Sequence, residues 1–480
     1  MNNVSKRRTG RINPVRYLIL AVAAIMFLYG LKLILDTTVF LTGDEGADFQ
    51  TVFVMGDDAP ETSGQTFAEI YGPELAVNNA GELAFDVYVT RPGDSQVRDA
   101  AIFRKSGDTV TIVAKQRTQT PLGDPRILFD SFHDLGLNAK GDMSFGAILT
   151  GEGIRSRAED GKPANHNALF VESGETFLQI ARAGEPVPGL EESVLFRAFD
   201  NFIMNDKGNI VVIAFLDGPG VTKQNDMAIV TGTADGLSVL ARTGSLAPGG
   251  GEGRFSRFFD LALNNNGIIA FTAALVGVTP GAGLFTHTED GTALVLKDGD
   301  EVPGLSDKTF FRAFGRAPNS GVKHRGLALN DKGDLLFVAR LTGKVSSFDN
   351  RTALFKMADG PVEIVAQSGK AFDPKIKSYF ADFRSVMLDA DGTPYFFSKL
   401  LGPDTTAFAT GGIFWRPNLE MMPYLLAREQ AYVTAGGTER RIYDIGSNFA
   451  LSADRRLSFS ARFYDQKGGV FTVPPQDETR

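Results

Sequence analysis

The chain has no cysteine, one tryptophan and only four histidines among its 480 residues. Without cysteine, neither a disulfide bond nor a lipidated N-terminal cysteine can form. The histidines, at positions 133, 166, 287 and 324, share no spacing typical of metal ligands. A formal net charge of −8 argues against nucleic acid as a partner, because phosphate binding requires a basic surface.

Catalytic sequence motifs are missing as well. The chain contains no nucleophile elbow, no phosphate-binding loop and no paired Cys/His cluster. Asp389-Ala390-Asp391-Gly392 resembles the start of a calcium-binding loop but lacks the acidic ligand that should follow it. The sequence therefore predicts the shape of the protein more firmly than its chemistry.

The N-terminal region does contain one long apolar run. Five basic residues within positions 1–16 precede the segment 17–35, which only Lys32 interrupts. A helix of that length spans roughly 28 Å, about the thickness of the hydrocarbon layer. The basic residues before the run and the acidic residues after it favour a cytoplasmic N-terminus. We predict a cytoplasmic tail (1–16), a transmembrane signal anchor (17–35) and a linker (36–50). The alternative is a cleaved signal peptide, although no Ala-x-Ala-like site follows.

Glycine (53 residues) and phenylalanine (38 residues) are abundant, and both recur within one motif, Asn-x-x-Gly-x-x-small-Phe. Its seven copies, some of them degenerate, start at Asn78, Asn138, Asn205, Asn264, Asn330, Asp389 and Ser452. Successive copies start 59 to 67 residues apart. A period near 60 that fills most of the chain indicates one supersecondary unit repeated, not several unrelated domains.

Each repeat contains four strand-like pieces. The first carries an aromatic or aliphatic pair three residues apart, such as Phe129 and Phe132. The Asn-x-x-Gly tetrad then predicts a tight turn, because Asn bonds its own backbone and Gly adopts positive φ. The last copy has Arg455 in place of this Gly, so we expect its turn to be strained or of another type. Four antiparallel strands without helical periodicity indicate a propeller blade.

The two ends of the repeat region complement each other. Residues 51–60 resemble a fourth strand without a blade, whereas the chain ends after the third strand of the last repeat, Gly469 to Val473. Pairing the two strands would close the ring and remove two exposed edges. We therefore predict an all-β, seven-bladed β-propeller over residues 51–475, closed by this strand latch and followed by a tail (476–480).

The first strand of each blade is expected to line the central channel. One register along it is apolar, and the preceding position is mostly polar. The predicted channel ring is Glu74, Asp134, Asn201, Asp260, Ser385 and Asn448, with Gly326 at the fifth position and His133 beside Asp134. Such oxygen ligands suit Ca²⁺ or Mg²⁺. The alternative is a water-filled channel whose polar lining binds nothing tightly.

Two other regions are candidate binding surfaces. An enlarged segment of the fifth repeat collects basic residues that could bind an anion, for example an acidic sugar or a lipid phosphate. They are Arg312, Arg316, Lys323, His324 and Arg325. The alternative is a solvated basic loop. The long loop between Leu149 and Asn167 in the second repeat is a candidate contact surface.

The repeats resemble the Asn-x-x-Gly-x-x-Ala-Phe tandem-repeat family of exported bacterial proteins. The resemblance rests on the copies NNAGELAF at Asn78 and NNNGIIAF at Asn264, and on the recurring Phe-x-x-Phe pair. Val211-Val212 and the copy SADRRLSF depart from the pattern. The resemblance implies an exported or surface-attached propeller in a bacterial envelope, and it assigns no catalytic residue.

Two functions remain open. The first is a recognition or scaffold module held in the bacterial inner membrane through residues 17–35, with the propeller in the periplasm and an envelope protein or glycan as partner. The second is a hydrolase or lyase acting on a glycan or lactone. In the second case Glu74, Asp134 and Asp260 would act as acid, base or metal ligands. Sialidase-type Asp boxes and quinone-dehydrogenase Trp motifs are absent from the sequence.

Overall fold

The computed structural model describes residues 49–68, 72–91, 94–278, 281–305, 308–315, 325–343, 351–371, 378–402 and 411–473. Throughout these ranges the regular structure consists of β-strands. Within them, no helix is long and apolar enough to cross a membrane. The predicted anchor at 17–35 lies outside the described residues.

The strands form seven antiparallel sheets, the blades of a β-propeller. Blade 1 comprises Thr66–Phe67, Leu75–Val77, Leu83–Arg91, Asp94–Ser106 and Thr109–Lys115. Blade 2 comprises Ile127–Leu137, Met143–Gly151, Asn167–Ser173 and Thr176–Arg182. Blade 3 comprises Leu195–Met204, Ile210–Asp217, Met227–Thr233 and Gly236–Arg242. Blade 4 comprises Arg254–Leu263, Ile269–Val276, Ala282–Thr288 and Gly291–Lys297.

Blades 5 to 7 follow the same order. Blade 5 comprises Thr309–Phe314, Leu327–Leu329, Leu335–Gly343, Thr352–Met357 and Glu363–Gln367. Blade 6 comprises Tyr379–Leu388, Pro394–Leu401, Gly411–Trp415 and Tyr424–Arg428. Blade 7 comprises Tyr432–Ala435, Thr438–Leu451, Leu457–Phe463, Gly468–Val473 and the N-terminal strand Gln50–Val54. The predicted all-β, seven-bladed fold is confirmed.

The first strands of the blades form the inner wall of the ring. Each contacts the first strands of both neighbouring blades, and the series closes from blade 7 back to blade 1. In blades 1 and 5 this strand is split into two pieces that pair with the same second strand. In blade 7, Thr438–Leu451 serves as the first strand, and Tyr432–Ala435 pairs with its beginning. The predicted strand order, with the first strand innermost, is therefore confirmed.

The ring closes through the predicted latch. Gln50–Val54 pairs antiparallel with Gly468–Val473, and Phe53 lies opposite Val470. The Phe53 ring stacks on Phe67 of blade 1 at a centroid distance of 4.2 Å. The latch strand thus completes the sheet of blade 7 and also packs against blade 1.

The hydrophobic core lies within and between the blades. In blade 2, the motif residue Phe145 stacks on Phe170 at 5.5 Å, and Phe129 of the aromatic pair meets Phe170 edge-on at 5.6 Å. Similar stacks recur, for example Phe271 on Phe285 at 5.2 Å in blade 4. Aromatic pairs of this geometry contribute roughly 0.5–1.5 kcal/mol beyond the area that they bury. The high phenylalanine content therefore reflects the core.

The tetrad asparagine has two roles. In blade 1 the Oδ1 of Asn78 accepts hydrogen bonds from the backbone N–H groups of Ala80 (3.1 Å) and Glu82 (3.0 Å), which closes the turn. Its Nδ2 donates to the carbonyl of Asn138, the first tetrad residue of blade 2, at 3.0 Å. Asn205 and Asn264 bridge to the next blade in the same way. The motif therefore connects blades as well as closing hairpins.

The degenerate last copy keeps the turn. The N–H of Arg455 donates to the carbonyl of Ser452 at 3.0 Å, as Gly81 does to Asn78. Arg455 adopts φ of 70°, so the expected strain is present and the expected change of turn type is not. The Nε of Arg455 lies 2.9 Å from the buried carboxylate of Asp389. This ion pair connects blades 6 and 7, where an Asn–carbonyl bond cannot form because Asp389 has no amide.

Candidate functional site

The predicted ring residues lie where the regular pairing of the innermost strands with their neighbours is interrupted. In blades 2, 3, 4, 6 and 7 the pairing of the first and second strands shifts at two points, and the second shift of blade 2 lies between His133 and Gly136. Asp134, Asn201, Asp260, Ser385 and Asn448 all lie within these shifts. Bulges of this kind re-aim a side chain out of the sheet. Asp134 and Asn201 both have φ of 54°, a conformation that Asp and Asn tolerate better than most residues.

Most of the ring converges on one axial cavity. Residues from six blades line it, and they include Glu74, Asp134, Asn201, Arg325, Ser385 and Asn448. The cavity volume is about 40 Å³. At roughly 10–15 Å³ for each water molecule, it has room for about three of them. Sites for drug-sized ligands are usually at least about 300 Å³. The cavity has room for ordered water or a small ion.

Asp260 does not line this cavity. It is 3% exposed, and its Oδ1 accepts a long hydrogen bond of 3.4 Å from the N–H of Gly326 in blade 5. A Cβ added to Gly315 would lie 2.2 Å from the Asp260 Oδ2, so the carboxylate occupies space that this glycine leaves open. Asp260 thus forms a contact between blades 4 and 5, and its place in the channel ring stays a prediction.

Other ring side chains also link neighbouring blades. The Oε2 of Glu74 accepts from the N–H of Leu135 in blade 2 at 2.7 Å. The Nδ2 of Asn201 donates to the carbonyl of Phe259 in blade 4 at 2.9 Å. A hydrogen bond of this kind contributes about 1 kcal/mol, and more when one partner is charged. These ring residues therefore hold the blades together.

Arg325 is the residue of the axial cavity that the ring prediction missed. It belongs to the predicted basic patch, yet it lines the cavity together with Glu74 and Asp134. Its positive charge opposes a second cation beside these carboxylates. In the described part of the chain, no group of three or more His, Asp or Glu residues is arranged to hold a metal ion. The Ca²⁺ or Mg²⁺ site stays a prediction, which Arg325 disfavours.

Among the described residues, Ser385 and His133 each carry a polar atom near the axis without a protein partner. Ser385 is 2% exposed and lines the cavity, and its Oγ has no hydrogen-bond partner among the described residues. The Nδ1 of His133 lies 2.9 Å from the Oδ2 of Asp134, whereas its buried Nε2 has no partner within the same residues. Buried polar groups usually bond to ordered water when no protein partner is near. His133 is thereby oriented by a carboxylate, as a general base would be.

The predicted anion patch does not form one described site. Arg312 and Arg325 line different cavities. Arg312 lies 3.4 Å from the Oδ2 of Asp298 and shares a cavity of about 290 Å³ with Arg340 and Arg351. The other three predicted residues, Arg316, Lys323 and His324, lie outside the described residues. The patch as a whole stays a prediction.

The long loop of blade 2 is fixed by its own contacts. The Oδ1 of Asn165 accepts from the N–H of Arg155 at 2.7 Å, and the Arg155 Nε donates to the carbonyl of Pro163 at 3.0 Å. The Nε of Arg182 donates to the carbonyl of Asn165 at 2.8 Å. The loop is thus a preformed surface, and its role as a contact surface stays a prediction.

Three comparisons relate the chain to known proteins. The model of a family described as "Family of unknown function (DUF7453)" matches residues 2–162, 164–429 and 279–473. No curated protein matches the chain in sequence. The polysaccharide lyase Uly1 superposes with a TM-score of 0.47 and 9% identity, over 90% of this chain and 98% of that one.

Two further solved structures superpose less closely. A protein of unknown function from Dyadobacter fermentans gives a TM-score of 0.33 and 12% identity, over 88% of this chain and 99% of that one. Trypanosoma rangeli sialidase in complex with sialic acid gives 0.34 and 13%, over 78% of this chain and 59% of that one. Likeness at this level transfers neither a ligand nor an activity to this chain.

Proposed function

This chain belongs to DUF7453, a family of unknown function, and we propose that it is a membrane-anchored recognition scaffold of the bacterial cell envelope. One observation carries the proposal. The polar residues that converge on the axis enclose only about 40 Å³, and Glu74 and Asn201 among them form hydrogen bonds between blades. Since these residues link the blades around a narrow cavity, we assign recognition to the outer faces and loops.

The proposed location rests on the sequence alone. The basic tail (1–16) and the apolar segment (17–35) support a single pass through the inner membrane, with the propeller in the periplasm. The test uses the full chain in a bacterial host. It should stay in the membrane pellet after carbonate extraction, and external protease should digest the propeller only once the outer membrane is opened. A chain released into the periplasmic fraction would show that the segment is cleaved as a signal peptide.

Photo-crosslinking tests the recognition role. Arg157 lies exposed in the blade 2 loop, whereas Lys140 lies exposed in a tetrad turn on the opposite face of the ring. A photoreactive residue at position 157 should give one reproducible adduct with an envelope protein or glycan, and the same residue at position 140 should give none. If a set of positions covering both faces yields no adduct above background, the scaffold proposal is wrong.

A second candidate function, a hydrolase or lyase acting on a glycan or lactone, is favoured by the His133–Asp134 contact of 2.9 Å. There a carboxylate orients an imidazole whose Nε2 is unoccupied by the described residues. The purified full chain would be assayed on polysaccharide and lactone panels with and without added Ca²⁺ or Mg²⁺. Turnover that His133→Gln and Asp134→Asn both abolish, with unchanged thermal unfolding, would favour the enzyme. Turnover unaffected by both variants would exclude this site.

A further inference from the structure

Blade 7 carries a surface group of tyrosine and arginine side chains that takes no part in the sites discussed above for recognition or catalysis. The tyrosines Tyr432, Tyr443 and Tyr464 are 52%, 41% and 45% exposed. The arginines Arg441 and Arg462 contact their rings. These five residues form the tyrosine–arginine cluster.

The cluster is continuous. The guanidinium carbon of Arg441 lies 6.0 Å from the ring centre of Tyr432 and 5.3 Å from that of Tyr464. Tyr464 meets Tyr443 edge-on at 5.4 Å, and Arg462 lies 5.8 Å from the Tyr443 ring. Cations within about 6 Å of an aromatic ring centre are attracted to its face. Aromatic and cationic groups therefore form one continuous strip, in which Arg441 lies between Tyr432 and Tyr464.

An extended pairing and a buried glutamine in blade 7 hold the cluster in place. Its additional strand, Tyr432–Ala435, pairs with the innermost strand so that Tyr432 lies opposite Arg441. The hydroxyl of Tyr464 is held by the side-chain amide of Gln430, which donates to it at 2.6 Å. Gln430 is only 5% exposed and has φ of 73°. The Tyr464 ring is thus oriented before any ligand arrives, which lowers the entropic cost of binding.

Unlike the neighbouring arginines, Arg441 has no carboxylate partner among the described residues. Arg440 pairs with Asp465, and Arg462 pairs with Asp444 at 2.9 Å. Within the part of the chain that the structure describes, no carboxylate pairs with Arg441, and its buried Nε has no hydrogen-bond partner. Its guanidinium lies between two aromatic rings and has no counter-ion among the described residues. The group is therefore available to pair with the carboxylate of a ligand.

We propose that the tyrosine–arginine cluster binds an acidic polysaccharide, through uronate residues whose carboxylate pairs with Arg441. A uronate ring carries an apolar C–H face and a carboxylate on one rigid unit, so it can stack on an exposed tyrosine while its charge meets the guanidinium. Successive sugars of a polymer would continue along the strip. The inference rests on the proposed recognition function and names its ligand class.

The test measures binding of the purified full chain, in detergent, to polygalacturonate, alginate and hyaluronate by biolayer interferometry. We expect at least one of these polymers to bind. We further expect Arg441→Gln to weaken binding at least tenfold, and Tyr443→Ala to weaken it at least threefold. The matched control is Arg257→Gln in blade 4, because Arg257 is exposed and its guanidinium carbon lies 5.6 Å from the ring centre of Phe259. This control removes the same charge and should change binding less than twofold.

Further binding measurements distinguish the contribution of the ligand's carboxylates from that of its sugar rings. The carboxyl-reduced form of the bound polymer should bind at least tenfold more weakly, and polyglutamate should bind weakly in comparison. Tyr464→Phe keeps the ring and tests whether the Gln430 contact orients it. Unfolding curves confirm that each variant is folded.

The proposal is wrong if none of the three polymers binds, or if Arg441→Gln binds like Arg257→Gln. Polyglutamate binding that equals polymer binding and ignores Tyr443→Ala would instead indicate an acidic polypeptide. A blade 2 crosslink without polymer binding would refute this inference and leave the scaffold proposal standing.

Discussion

At the scale of single residues, four blades are linked to the next by the first residue of their turn motif. In these copies the residue is Asn78, Asn205, Asn264 or Asn330, whose amide donates to the carbonyl of the following tetrad. At position 389 the residue is Asp, and its fully buried carboxylate pairs with Arg455 at 2.9 Å. One departure from the repeat is thereby compensated by another, 66 residues later in the chain.

This compensation predicts a coupled pair of substitutions. Arg455→Gly restores the motif and relieves the φ of 70°, yet it leaves Asp389 buried without a cation. Breaking a buried pair costs about 3–5 kcal/mol, which exceeds the roughly 1 kcal/mol regained from the backbone. We expect Arg455→Gly to be clearly less stable in urea unfolding, and Asp389→Asn/Arg455→Gly to recover most of the loss. Additive effects in this double-mutant cycle would contradict the coupling.

The contact between His133 and Asp134 depends on a glycine in the adjacent strand. A Cβ added to Gly146 would lie 2.1 Å from the His133 Cε1, so Gly146→Ala must displace the imidazole. We expect a loss of about 1–3 kcal/mol in unfolding free energy and a shifted His133 signal in NMR. Gly236→Ala is the control, because a Cβ there meets nothing within 4 Å. Equal stability of the two variants would argue against this packing.

At the scale of strands, most of the architecture was predictable because it is local and repeated. Alternating apolar residues define the strands, and the Asn-x-x-Gly tetrads define the turns. The site was less predictable because it depends on contacts between blades. Asp260 turns toward blade 5 since Gly315, distant in sequence, leaves space there. Arg325 follows an insertion without an equivalent in the other repeats. The tyrosine–arginine cluster depends on Tyr432–Ala435, which extends to four residue pairs a contact that is a single bridge in the other blades.

The inter-blade bonds of the innermost strands lead to a prediction for Glu74. Its Oε2 accepts the N–H of Leu135 at 2.7 Å, and a Gln at this position keeps an acceptor oxygen. Glu74→Ala removes that acceptor and should cost about 1–3 kcal/mol, with faster hydrogen exchange at the Leu135 amide. Glu74→Gln should cost less and preserve the protection of that amide. Equal exchange in both variants would show that the bond contributes little.

At the scale of the whole molecule, closure of the ring depends on five residues from the opposite end of the chain. Gln50–Val54 supplies the fourth strand of blade 7, and without it Gly468–Val473 would expose an unpaired edge. Phe53 joins this edge to blade 1, where it stacks on Phe67 at 4.2 Å and on Phe85 at 5.1 Å. The latch therefore joins the two ends of the repeat region, whereas a core phenylalanine such as Phe271 packs between blades 3 and 4, which are consecutive in the chain.

This difference can be measured by comparing Phe53→Ala with Phe271→Ala. Both side chains are buried, at 4% and 0% exposure, so each truncation should cost about 3–5 kcal/mol. Hydrogen exchange should distinguish them. Phe53→Ala opens the ring and should release the amides of Gly468–Val473 and of blade 1 well before global unfolding. Phe271→Ala should leave those amides protected and weaken blade 4. If Phe53→Ala instead accelerates exchange uniformly around the ring, the closure strand is no weaker than any blade, and the propeller opens only as a single cooperative unit.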